Sequence, residues 1–117
     1  MNGEDASVRE VLLQLREQAE AQAEALDGDL RNLFEASRSS NADDEHDPEG
    51  STIAFERAQL TAVLDAARRQ LAELDVALQR LDDGTYGVCE GCARPIPVER
   101  LAVRPSARTC VTCANRR

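Results

Sequence analysis

Residues 60–84 read LTAVLDAARRQLAELDVALQRLDDG, and their apolar spacing decides the fold. Leu60, Leu64, Ala67, Leu71, Leu74, Leu78 and Leu81 recur at steps that alternate four and three. That is a heptad seam, a stripe along one helix that is built to meet another. Asp82-Asp83-Gly84 closes it, with Gly84 suited to the left-handed position just past a helix C-terminus.

Upstream lies a second stripe: Val8, Leu12, Leu15, Ala19, Ala23, Leu26, Leu30 and Leu33. It keeps the same spacing apart from one step, between Ala19 and Ala23, which disturbs a strict heptad. Ser7-Val8-Arg9-Glu10 has the Ser-x-x-Glu form of a capping box, so the helix is expected to start there with residues 1–6 frayed. Gly28, inside it, costs about 1 kcal/mol relative to Ala. The helix is expected to fade between Ala36 and Ser40. Residues 39–51 carry no apolar periodicity and read as a loop. The second helix then opens at Pro48 behind an Asp47 cap, or a few residues later at Ser51 or Thr52. The expected fold is all-α: a long antiparallel helical hairpin, a coiled coil, over residues 1–83, with its tip loop near 39–51. Helices of about 30 residues would be about 45 Å long. The alternative is a dimer in which each seam pairs with another chain. The connection favours the intramolecular hairpin and a monomer, since neighbouring elements usually pack together.

Composition agrees. Of 117 residues one is Tyr, two are Phe and none is Trp, too little aromatic mass for a thick core. A chain this small needs a staple. The net charge of −8 is unevenly placed. Residues 1–83 hold 8 Arg against 20 Asp and Glu, a net −12; residues 84–117 hold 6 Arg against 2 Glu, a net +4. An acidic hairpin is repelled by phosphates, so sequence-specific DNA binding is not expected. No apolar run approaches the ~20 residues of a membrane span, and the charged N-terminus has no signal-peptide pattern, so a cytoplasmic location is expected.

The staple is legible in residues 84–117. Cys89-Glu90-Gly91-Cys92 is followed, 17 residues on, by Cys110-Val111-Thr112-Cys113. Two C-x-x-C knuckles at this separation are a specific zinc signature, because two intervening residues let both thiolates of a knuckle reach one ion tetrahedrally. Four thiolates leave no open coordination position, so the site reads as one structural Zn2+ rather than a catalytic centre. Two disulfides or a redox C-x-x-C are the alternatives, disfavoured in a cytosolic chain. Pro95, Pro97 and Pro105 forbid long regular elements between the knuckles. Ile96, Val98, Leu101 and Val103 are the expected minimal core over the metal.

The run Leu81-Asp82-Asp83-Gly84-Thr85-Tyr86-Gly87-Val88-Cys89-Glu90-Gly91-Cys92 resembles the zinc-finger entry of the DksA/TraR family. So do Ile96-Pro97-Val98-Glu99-Arg100-Leu101, Arg104-Pro105 and the second cysteine pair. The resemblance is carried by motif over residues 81–113 and by architecture alone over 7–80. It implies a bacterial transcription regulator that binds RNA polymerase directly, with its coiled coil entering the secondary channel and an acidic tip approaching the catalytic centre. On that resemblance the tip carboxylates Asp43, Asp44, Glu45, Asp47 and Glu49 acquire a role. They are hard oxygen ligands suited to Mg2+ or to basic channel residues. By composition alone they read as a solvated loop. Arg94, Arg100, Arg104 and Arg108 are then expected to dock the zinc end on the channel rim.

Two features depart from the family pattern. Its Asp-x-x-Asp-x-Ala tip signature falls here on His46-Asp47-Pro48-Glu49-Gly50-Ser51, which keeps an acid in register only at Glu49 and has Ser51 for Ala. Longer members continue beyond the second knuckle into a C-terminal helix that helps bind polymerase and the alarmone ppGpp, whereas this sequence ends four residues after Cys113. His46, the single histidine, reads as an exposed loop residue, and no Ser-His or Cys-His pair points to an enzyme. Two other functions compete with the regulator: a zinc-ribbon adaptor or scaffold recruiting a partner through the seam, and a thiol redox protein. The acid concentrated at the loop favours the regulator, since a scaffold has no need of it.

Overall fold

The computed structural model describes residues 3–40 and 48–116. Two long helices, α1 (Gly3–Ser40) and α2 (Pro48–Asp83), precede two short ones, α3 (Val98–Val103) and α4 (Val111–Ala114). No strand occurs among the described residues, only an isolated antiparallel bridge between Val88 and Pro95. No described helix is long and apolar enough to cross a membrane.

Both stripes are covered. Every position of the α1 stripe from Val8 to Leu33 and of the α2 seam from Leu60 to Leu81 is buried or half-buried. By contact the chain divides into two compact units. One joins Met1–Glu17 to Leu71–Arg117, and the other is Gln18–Gln70. In the first, Leu12 of α1 and Leu74, Ala77 and Leu81 of α2 are buried. Arg9 pairs with Asp82 at 2.8 Å and Arg16 with Asp75 at 2.6 Å. Moving seven residues up α1 moves seven down α2, which is antiparallel packing. In the second unit Ala19, Leu30, Leu64 and Ala67 are buried, and Asp27 lies 3.7 Å from both Arg31 and Arg68. These exposed ion pairs fix register more than they stabilise.

The start of α1 differs from the sequence reading. Helix α1 begins at Gly3, so Ser7 is interior and the expected capping box does not start it. Asp5 sits in the first turn, where a carboxylate favours the helix dipole, and Ala6 propagates the helix. The other ends fall within the sequence reading, with α1 running to Ser40 and α2 beginning at Pro48. Pro48 at the first helical position has the preset φ that a helix start needs.

Gly84 ends α2 as its sequence suggests. Its φ is +78°, its N–H donates to the Leu81 carbonyl at 3.3 Å, and the Thr85 N–H donates to the Arg80 carbonyl at 2.9 Å. This pair of bonds is a Schellman cap. It turns the chain directly into the cysteine module.

A four-cysteine metal centre

The first knuckle is a tight hairpin. The Cys89 N–H donates to the Arg94 carbonyl at 2.8 Å, the Ala93 N–H to the Cys89 carbonyl at 2.9 Å, and the Ile96 N–H to the Gly87 carbonyl at 2.7 Å. Gly87 takes φ +82°. Ala93 takes φ +63°, a left-handed conformation that its sequence gives no sign of. The second knuckle is a helix start. Cys110 precedes α4 in extended conformation, and its carbonyl accepts from the Ala114 N–H at 2.9 Å. Helical geometry then returns Cys113 toward Cys110. The knuckles are joined where the Glu90 N–H donates to the Arg108 carbonyl at 2.9 Å.

This local geometry brings the four sulfurs of Cys89, Cys92, Cys110 and Cys113 within 4.8 Å of one another. The Sγ atoms of Cys92 and Cys110 are 3.9 Å apart. Zn–S bonds of about 2.3 Å in a tetrahedron put sulfurs about 3.8 Å apart, whereas a disulfide would need about 2.05 Å. Two backbone N–H groups, of Gly91 and Cys110, donate to Cys89 Sγ at 3.3 Å each. The donation from Cys110, above all, lowers the Cys89 thiol to about 6. Cys110 is lowered too, chiefly by a backbone N–H at Cys113. Cys113 is pushed up to about 12, since its proton is held by the sulfurs of Cys89 and Cys110. Thiols lowered at Cys89 and Cys110, beside a proton shared among the sulfurs at Cys113, suit a divalent cation that displaces that proton. The donor set and spacing fit one structural zinc ion.

Close approach is what Gly91 provides. A Cβ there would lie 2.8 Å from Cys113 Sγ and 3.0 Å from Cys113 Cβ. The small core under the metal differs from the expected one. Cys89, Ile96 and Ala107 are buried and Leu101 is half-buried, but Val98 and Val103 face solvent, 78% and 88% exposed. In a helix of six residues Val103 lies about 200° round from Leu101, so both cannot face inward.

Several supports have no distinct signal in the sequence. The Arg80 guanidinium donates to the Thr85 carbonyl at 2.8 Å and also to the Val88 carbonyl, tying the end of α2 to the segment entering Cys89. Tyr86 Oη donates to the Pro105 carbonyl at 2.6 Å. Arg80 in the last turn of a helix was the one available hint.

Of the four arginines expected to dock, Arg94 is exposed. Arg100 is half-buried, and its Nε donates to the Thr109 carbonyl at 2.8 Å, beside Cys110. Arg104 lies 3.8 Å from Glu73 of α2, and Arg108 lies 3.1 Å from Glu90, both at the surface. Asp43, Asp44, Glu45, His46 and Asp47 lie outside the described residues, and Glu49 belongs to the first turn of α2.

Comparison with known proteins agrees with this centre. Residues 84–117 match the family model of the prokaryotic dksA/traR C4-type zinc finger. General stress protein 16O of Bacillus subtilis is 42% identical over 72 residues, 62% of this chain and 44% of that protein. The RNA polymerase-binding transcription factor DksA of Caulobacter vibrioides is 38% identical over 61 residues, 52% of this chain and 43% of that protein. The matched stretches thus span less than half the length of these relatives. The solved structure of transcription factor DksA2 from Pseudomonas aeruginosa superposes with a TM-score of 0.80 at 28% identity, covering 98% of this chain and 83% of the other.

Proposed function

This chain carries the zinc finger of the DksA/TraR family, and from that premise we propose that it is a transcription regulator that binds RNA polymerase directly and modulates initiation. The observation that carries the reading is the extent of the structural match. It takes in 98% of the chain, the two long helices as well as the finger, against a transcription factor. The DksA of Caulobacter vibrioides, similar over half of this chain, is named for binding polymerase.

In this reading residues 1–83 and 84–117 do different work. The acidic hairpin enters the secondary channel, and the carboxylates of Asp43, Asp44, Glu45, Asp47 and Glu49 act there on Mg2+ or on basic side chains. The finger, net positive, docks on an acidic rim through Arg94, Arg104 and Arg108. Arg100 contributes by holding the second knuckle in place, since its guanidinium is committed to the Thr109 carbonyl. The protein acts as a cytoplasmic monomer and as a non-enzymatic factor, its zinc structural and its target a protein rather than a DNA sequence.

A binding titration run beside an in vitro transcription assay tests this. Asp44→Asn, Asp47→Asn and Glu49→Gln together remove three charges with little change of shape. Binding to polymerase should change modestly, while the effect on initiation is lost. Arg94→Glu with Arg104→Glu should weaken binding itself. A triple variant that still regulates like the parent would make the tip acids mere solvation and defeat the channel mechanism.

A further inference from the structure

Unit Gln18–Gln70 carries an open groove that neither the seam nor the metal uses. It has a volume of about 490 Å3 and follows α2 from Ala54 to Asp65, with Phe34 of α1 as its other wall. Phe34 is 44% exposed, and the Arg57 guanidinium sits 5.2 Å from its ring centroid. Ala54, Ala58 and Ala62 line the groove and are exposed, and Ala66 continues the same every-fourth-residue row. Rows of this spacing are the ridges by which helices most often pack, and alanine lets a second helix approach closely, at an axial distance near 8 Å.

Charge identifies the occupant. Arg57 and Asp65 both line the groove, eight residues apart, with Thr61 midway between them. If a second α2 is laid along the first and turned end for end about Thr61, its Asp65 comes level with Arg57 and its Arg57 with Asp65. A uniformly acidic or basic helix would satisfy one end and be repelled at the other, whereas the chain's own α2 satisfies both. We propose that a second copy of this chain docks on this groove, α2 against antiparallel α2, as a reversible two-fold dimer. A contact made mainly by one helix face falls in the small, transient class of interfaces. The dimer is therefore a resting form that dissociates on dilution, compatible with a monomer acting on polymerase. The proposal stands apart from the polymerase reading, because its test contains no polymerase.

Sedimentation equilibrium of the zinc-loaded full chain, from about 10 to about 500 µM, covers the range such an interface implies. The average mass of the parent should climb from 12.8 kDa toward twice that value. Arg57→Glu and Asp65→Arg each set like charges against one another at both ends of the pair. Each should weaken self-association about tenfold or more. Mixed in equal amounts, the two variants restore opposite charges at both ends, so the mixture should associate like the parent. Ala58→Glu, at an exposed position, should abolish association whatever the behaviour of the charge variants. A parent that stays at one chain's mass throughout would overturn the proposal. So would a mixture that associates no better than its components, or an Ala58→Glu chain that still pairs.

Discussion

At Gly91 the chain has no room for a side chain. A methyl group there would stand 2.8 Å from Cys113 Sγ, and that sulfur cannot retreat without leaving the metal. Gly91→Ala should therefore weaken zinc binding about ten- to hundredfold, the range seen when groups supporting a metal site are disturbed. Competition with a chromophoric chelator measures this. Cys92→Ser removes a ligand and should lose the ion outright, so Gly91→Ala should fall between it and the parent. Parent-like affinity in Gly91→Ala would mean that the two knuckles are less closely joined than the Cβ distance requires. The reason for glycine here is contact across the centre. Gly87 differs, because its positive φ is what supplies turn freedom at the knuckle.

At the scale of the helix, the seam predicts where mutations matter. Leu74 is 1% exposed, while Leu13, one residue off the α1 stripe, is 49% exposed. Leu74→Ala should cost about 2–5 kcal/mol, and Leu13→Ala less than about 0.5 kcal/mol. Urea titration followed by helical circular dichroism distinguishes them, and equal losses would argue that the seam is not packed. Gly28 offers the opposite case. It lies inside α1, and a Cβ added there would find nothing within 4 Å, so the new methyl meets open space. Gly28→Ala should stabilise the helix by about 0.5–1 kcal/mol, seen as a higher denaturation midpoint. A lower midpoint would mean that the glycine is needed for a bend or an approach to a partner.

For the whole molecule, the metal and the helices are joined through the end of α2. Arg80 holds the carbonyls of Thr85 and Val88, and Glu73 reaches Arg104, all within the unit that contains the finger. Removing zinc with a chelator under reducing conditions should release residues 84–116 first. Hydrogen exchange should show protection lost there, reduced in 71–83, and kept in the buried positions of unit Gln18–Gln70. The helical signal should fall only slightly. Uniform loss of protection would show instead that the chain folds as one cooperative body around the metal.

The sequence by itself determined the two helices, their apolar stripes and the four cysteines of the centre. Each rests on spacing along the chain: alternating steps of four and three, a glycine after Asp83, and two residues between paired cysteines. Spacing survives translation into structure because helix periodicity and knuckle reach are local properties of the backbone. What lay beyond it was decided by contacts between residues far apart in the chain. Val98 and Val103 look as apolar as Ile96, yet both face solvent on α3, and Ala107 is buried in that core instead. Arg100 looks like any surface charge until its guanidinium meets the Thr109 carbonyl. The groove with Arg57 and Asp65 arises only when Phe34 from the other helix closes its wall. Tertiary structure settled these because an arginine or a valine carries no local mark of its partner; the partner is chosen when folding brings distant segments together.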